Sequence, residues 1–225
     1  KNFQEKKDEI VAGLLNAVEE IIRPDSFMVS YTGERESVEQ IQKLCGELKK
    51  SLPQRTSQVP SVSITCEKKN EGFKTSGQVQ YVAKCGNFVK KGYAYTGALE
   101  ILKVALSYDY LWINLRVKGG AYGCMSGFKR NGESFLVSYR DPHLKRTLEV
   151  YQGVPDYIRA FEADEREMTK YIIGTISNKD VPRTPQMQGS ISKTAYFSNV
   201  TEDMLQKERN QILGAQKEDI QKLAA

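Results

Sequence analysis

Between Tyr95 and Arg116 the chain carries apolar residues on nearly every side of a helical projection: Leu99, Leu102, Val104, Ala105, Leu106, Tyr108, Leu111, Trp112, Ile113 and Leu115. A helix without a polar face has to be covered from several directions, so the rest of the fold must be arranged around it. Glu100, Lys103, Asp109 and Asn114 interrupt the stretch from Ala94 to Val117, which rules it out as a bilayer span and leaves it as a core helix. A chain of 225 residues, 40% hydrophobic and 27% charged, is long enough to bury such a helix in one large or two small soluble domains. Disordered and fibrous architectures are excluded by the same composition.

The flanks supply the other layer. Val62, Ile64 and Cys66 alternate with Ser61, Ser63 and Thr65, and Val79, Tyr81, Ala83 and Cys85 alternate after a polar turn near Asn70 to Gly72, which predicts half-buried strands. Cys124 to Lys129, then Asn131-Gly132, then Phe135, Val137 and Tyr139 predict a hairpin on a two-residue primed turn. Beyond Asp141-Pro142 the pattern is helical. Leu144, Leu148, Tyr151, Val154, Ile158 and Phe161 form one stripe with a kink at Gly153 and Pro155; Asp164 with Glu167 caps a helix, and Thr201 or Asn199 caps another that Gly214 ends. Strands first and helices afterwards predict an α+β fold, a mixed or antiparallel sheet from about Val62 to Tyr139 with helices packed on one face.

Residues 1–52 read as a separate helix-strand-helix element. Ile10, Leu14, Leu15, Val18, Ile21 and Ile22 make an amphipathic helix, Phe27 to Tyr31 a short strand, and Ser37 with Gln40 a capping box opening a helix through Leu48. Residues 53–60, with two prolines and no periodicity, are the linker, and 61–225 the second domain. The chain starts at Lys1 directly in helical pattern, as expected of a piece of something longer, and carries no targeting information; the cytoplasm is the default location.

Charge and metal-ligand counts remove several functions. With 33 Lys and Arg against 28 Asp and Glu, spread without a basic block, nothing marks a nucleic-acid binder, and no segment marks a membrane protein. Cys45, Cys66, Cys85 and Cys124 lie too far apart for a disulfide framework or a zinc knuckle. His143 is the only histidine, so no HExxH or HxxEH motif, Ser-His-Asp triad or Cys-His pair exists within these residues. His143 itself reads as a surface residue at a helix start, the 164–167 run as a capped solvated helix start, and Lys90-Lys91 as a solvated loop.

The chemistry-bearing segment is Arg116-Val117-Lys118-Gly119-Gly120-Ala121-Tyr122-Gly123. Read for structure alone, the cations favour the negative end of the helix, the glycines end it, and Tyr122 is a strand aromatic. Against this stands the crowding of three glycines around one tyrosine, which leaves the phenol and nearby backbone open to an approaching chain. A phosphate loop using Gly119, Gly120 and Gly123 is disfavoured, because such a loop follows a strand and opens a helix, whereas this one ends a helix.

That segment, with Tyr108-Asp109-Tyr110-Leu111-Trp112 before it and Ser138-Tyr139-Arg140-Asp141-Pro142 after it, resembles the last domain of the presequence-protease-type branch of the pitrilysin/insulinase zinc peptidases, family M16. The resemblance covers nearly the whole chain, since Phe27 to Leu48 is similar to the strand and helix that close the preceding repeat there. It implies a metallopeptidase-like (LuxS/MPP-like) α+β domain, one of four related domains that form two bowl-shaped halves around a closed chamber. It also implies that zinc and its inverted HxxEH motif belong to the N-terminal half of the same polypeptide, with no ligand in this chain. The C-terminal half supplies an arginine and a tyrosine to the bound peptide; Arg116 and Tyr122 match them as catalytic residues, with Gly119, Gly120, Ala121 and Gly123 as substrate-binding backbone. Related branches carry one more residue between the two.

What the resemblance implies makes chemical sense of the residue types. A phenol aimed at the carbonyl oxygen of a peptide under attack is a donor to the charge that builds there, and an arginine fork holds a backbone carbonyl in place. The expected activity is a zinc endopeptidase acting on unfolded peptides, this chain alone being inactive. The family also holds members without zinc ligands, so the alternative is a catalytically silent structural or binding domain.

Overall fold

The computed structural model describes residues 2–54, 63–65, 67 and 69–224. Among them lie nine α-helices and three strands: α1 Phe3–Ile21, α2 Val38–Ser51, β1 Gln80–Asn87, α3 Ala98–Ala105, β2 Gly123–Phe128, β3 Glu133–Asp141, α4 Lys145–Gln152, α5 Val154–Arg159, α6 Glu165–Lys179, α7 Pro185–Phe197, α8 Glu202–Leu213 and α9 Lys217–Gln221. No helix among the described residues is long and apolar enough to cross a membrane. The chain divides into two compact units, Lys1–Glu71 with Arg183–Ser198, and Gly72–Pro182 with Asn199–Ala225.

The first unit holds α1, α2 and α7. The apolar stripe expected on α1 forms, but no residue of the helix is buried, and Leu14, Leu15 and Ile21 stand open. Two expectations fail here. Phe27 to Tyr31 is not a strand, because none of the described residues pairs with it and a lone extended segment has no ladder to join. Ser37 ends a 3₁₀ turn with helical backbone angles and makes no capping bond, since a cap needs an extended backbone to aim its hydroxyl back at the helix. Residues 55–60 of the expected linker lie outside the described residues.

The second unit is the expected α+β fold. Its antiparallel sheet has the order β1-β3-β2, so the long β3 is central and pairs with both neighbours. The sheet begins at Gln80. Ser63 to Thr65 of the expected first strand are not in a strand, while Val62 and Cys66 lie outside the described residues. The hairpin between β2 and β3 forms, with a different turn. Gly132 N–H donates to the Lys129 carbonyl, Lys129 N–H to the Glu133 carbonyl, and only Gly132 takes a positive φ, 87°. This is a three-residue loop closing on a glycine bulge, in which Asn131 keeps an ordinary backbone and its side chain accepts from Glu133 N–H.

The central helix forms where expected, but its second half is wider. Past Ala105 it continues as a π-helix from Leu106 to Val117, and Lys118 N–H donates to the Ile113 carbonyl five residues back. Leu106, Leu111 and Leu115 are the buried positions, spaced five and four apart. The wider turn collects them on one side and turns Tyr108, Trp112 and Val117 outward, so this half of the helix is not covered all round. The α-helical half is more deeply covered: Ile101, Leu102 and Ala105 are buried among Ile212, Ile220 and Phe161, and Lys103 is its one exposed residue.

Later signals hold. Gly153 separates α4 from α5, Asp164 and Glu167 form the reciprocal capping box of α6, and the Thr201 hydroxyl accepts from Met204 N–H to cap α8. Tyr151 of α4 is 1% exposed, and its hydroxyl donates to the Val82 carbonyl of β1. Burial pushes its phenol from 10.0 up to about 12. The unfolded chain loses that proton at pH 10 and the folded one only near 12, so the stabilisation is complete below pH 10 and drains away between 10 and 12. Denaturant midpoints at pH 9, 10 and 11 should therefore fall more steeply for the parent than for Tyr151→Phe; equal slopes would refute the assignment.

Candidate active site

The end of the central helix is closed by two bonds, each one residue longer than in the common helix-ending motif: Gly120 N–H to the Arg116 carbonyl and Ala121 N–H to the Leu115 carbonyl. Gly120 takes φ 76°, which lets the chain reverse into β2. A side chain at Gly119 would strike the Leu115 carbonyl oxygen, and one at Gly123 would overlap the Tyr139 ring. The glycines are therefore fixed by packing, and the turn carries Tyr122 back to the end of the helix that holds Arg116.

Tyr122 and Arg116 meet on the surface. The Arg116 guanidinium lies 5.8 Å from the centroid of the Tyr122 ring and 4.1 Å from that of Trp112, one turn back on the helix. Tyr139 packs its ring edgewise on Tyr122 at 5.4 Å, and the Arg140 guanidinium approaches the same ring at 5.5 Å. Tyr122 remains 56% exposed, and its hydroxyl has no hydrogen-bond partner among the described residues. The core requires neither group.

The neighbouring positions contribute shape. The N–H groups of Gly120, Ala121 and Tyr122 are all engaged, the last with the Arg140 carbonyl at 3.3 Å, so none is free to donate to a bound chain. The Ala121 side chain is in the core at 3% exposure, and Gly123 pairs with Tyr139 in the sheet. Behind them Cys124 is half-buried; burial, the larger effect, pushes its thiol up against the pull of Arg116, which disfavours the nucleophilic thiolate.

Beneath the site is a buried carboxylate whose role the sequence reading did not foresee. Asp141 accepts from the Ser138 hydroxyl at 2.6 Å, the Thr147 hydroxyl at 2.7 Å and His143 N–H at 2.8 Å. It ties the end of β3 to the first turn of α4 and so fixes the strand end that holds Arg140. His143 enters this network through its backbone and keeps its ring exposed. No group of three or more His, Cys, Asp or Glu among the described residues is placed to hold a metal ion.

Two other features lie apart from the pair. Arg130, in the hairpin loop, forks onto the buried Glu208 carboxylate of α8 with two bonds of 2.5 Å, and Lys179 stands 3.8 Å away. That cluster locks loop to helix. A cavity of about 410 Å³ opens between the sheet and the helices, lined by Leu99, Leu102, Phe128, Leu136, Val154 and Ile158 among others, and Arg116 and Tyr122 do not reach it.

Comparison with known proteins shows which family the chain resembles. A family model described as PreP C-terminal domain matches residues 70–225. Protein HypA of Clostridium perfringens is 44% identical over 221 residues, covering 98% of this chain and 23% of that protein. Presequence protease 1, chloroplastic/mitochondrial, of Arabidopsis thaliana is 31% identical over 228 residues, covering 99% of this chain and 21% of its own length. Among solved structures, a protease from Helicobacter pylori shares the fold with a TM-score of 0.55 at 15% identity, over 83% of this chain and 49% of that one. The chain thus spans less than a quarter of the length of the first two relatives.

Proposed function

The chain belongs to the PreP C-terminal domain family, and on that premise we propose that it is the substrate-binding last domain of a zinc endopeptidase that degrades unfolded peptides in a closed chamber. The observation that carries this reading is the convergence of Arg116 and Tyr122, distant from the core and open to solvent, at one helix-to-strand turn. A peptide lying across the turn meets a free phenol and an arginine fork together. The phenol donates to the oxygen of the carbonyl being cleaved, where negative charge accumulates, and the fork fixes a neighbouring backbone carbonyl. Neither group changes its protonation state. Both act by position.

Zinc does not fit the described residues of this chain, so the metal and its chemistry are assigned to the N-terminal half of the same polypeptide. The open apolar stripe of α1 supports residues 1–52 as an element completing the preceding repeat, with 53–60 as linker and 61–225 as the last domain. The family match begins at residue 70 and the compact units divide after Glu71, past the proposed linker, with Arg183–Ser198 grouped with the first unit. The cytoplasm is the proposed compartment, and nucleic acid and membranes are not among the proposed partners.

Two measurements test the reading. The full-length protein should cleave a fluorogenic unfolded peptide. The 225-residue chain alone should cleave nothing and keep no stoichiometric zinc after dialysis, because a zinc site needs three or four ligands that its described residues do not bring together. A full-length protein without cleavage would make this a silent binding domain, and metal-dependent cleavage by the chain alone would move the chemistry into it.

A further inference from the structure

Arg140 stands where the alternation of a strand would not put it. Ser138 of β3 is buried against the helices and Tyr139 faces outward, so in a regular strand Arg140 would point inward. The register against β1 prevents this. Val82 pairs with Ser138 but Gln80 pairs with Asp141, so Tyr139 and Arg140 together oppose Tyr81 in a bulge. Arg140 makes that bulge with φ 48°, in the left-handed region, one of only two non-glycine residues of positive φ among those described. The bulge resets the alternation: Asp141 turns inward to its three donors, and Arg140 turns outward over the Tyr122 ring.

The need to bury Asp141 explains the left-handed backbone but not the side chain that occupies it. Glycine or asparagine would adopt that conformation at lower cost. An arginine there is held in a strained position beside the candidate active site, where strain tends to be kept for function. Its guanidinium and that of Arg116 lie 5.5 and 5.8 Å from the Tyr122 ring centroid, and neither has a carboxylate partner among the described residues. An exposed, unneutralised fork over that ring, with a second at the same ring, is a donor set for a carboxylate.

We infer that Arg140 is a specificity-determining residue that binds a carboxylate of the peptide lying across Tyr122, from either an Asp or Glu side chain or the peptide's C-terminus. The inference rests on the reading of this surface as the peptide site. Trp112, the single tryptophan of the chain, lies against Arg116 and reports occupancy by its fluorescence. The 225-residue chain is titrated with three versions of one unfolded peptide: neutral with an internal Gln and a C-terminal amide, the same with Gln replaced by Glu, and the same with a free C-terminal carboxylate.

At least one carboxylate peptide should bind about tenfold more tightly than the neutral one, the scale of one charge-assisted contact. Arg140→Gln should reduce that preference to below about twofold, and Arg140→Lys should retain part of it, as a point charge without the fork. Arg140→Gly guards against misfolding: it relieves the left-handed strain, so its Tm should equal or exceed the parent's while the preference is lost. Equal binding of the three peptides by the parent, or a preference that survives in Arg140→Gln and Arg140→Gly, would overturn the role of Arg140 and leave the peptide site standing. Absence of binding of any peptide, by fluorescence and by calorimetry, would bring down the peptide-site reading itself.

Discussion

Tyr122→Phe in the full-length protein should lower kcat on an unfolded peptide by about 10²–10³-fold, the usual loss when one donor to a developing oxyanion is removed. KM should change little, because the hydroxyl is used in the transition state more than in the bound ground state. The substitution is a clean one. Phenylalanine keeps the edgewise contact with Tyr139 and the approach of both guanidiniums, and the hydroxyl it deletes has no partner among the described residues. Stability should stay within about 0.5 kcal/mol of the parent, as for other surface changes that break no internal bond. Parental kcat in this variant would reduce Tyr122 to an exposed strand aromatic and leave the glycines as nothing more than a helix ending.

The contrast with Arg116 is informative. Arg116→Ala removes the fork together with its stacking on Trp112, so its effect would mix substrate positioning with local packing. Catalytic loss in Tyr122→Phe is the better isolated measurement for that reason.

What could be read from the sequence depended on whether the signal was local. The capping box at Asp164 and the break at Gly153 each involve residues a few positions apart and appear in the structure; Phe135, Val137 and Tyr139 do lie in a strand, but its core face is the other one, that of Leu136 and Ser138. The Arg116 and Tyr122 pair was legible because a helix end followed by two glycines forces the chain back within six residues. Signals that need a distant partner were not. Phe27 to Tyr31 alternates as a strand does, yet a strand exists only with a neighbour to bond. Trp112 and Tyr108 look as apolar as Leu111, and only the shift from α to π geometry, which composition does not show, turns them outward. Arg140 was in view as part of the Arg-Asp-Pro run, but its position over Tyr122 follows from a two-strand register mismatch. A single sequence does not carry that information.

The bulge is held by Asp141, and Asp141→Ala should destabilise the second unit strongly. The carboxylate is 1% exposed and receives two hydroxyls and one backbone N–H, from β3, the following loop and α4. Truncation leaves all three donors in a space too small to solvate them freely, at a cost of about 1–3 kcal/mol for each that finds no substitute. Hydroxyl rotation toward other acceptors, or a water in the vacated volume, recovers part of this. The net loss should be about 3 kcal/mol, a drop in Tm of roughly 6–12 °C for a chain of this size. Asp141→Asn should fall between the parent and the alanine variant, since one oxygen still accepts while the amide turns a donor toward donors. The second consequence reaches the surface. With the anchor gone, Arg140 is free to leave the left-handed conformation and the Tyr122 ring, so peptide affinity should fall although Asp141 touches no peptide. A Tm within about 1 °C of the parent would show that the network does not hold the bulge, and the link between buried carboxylate and exposed arginine would be lost.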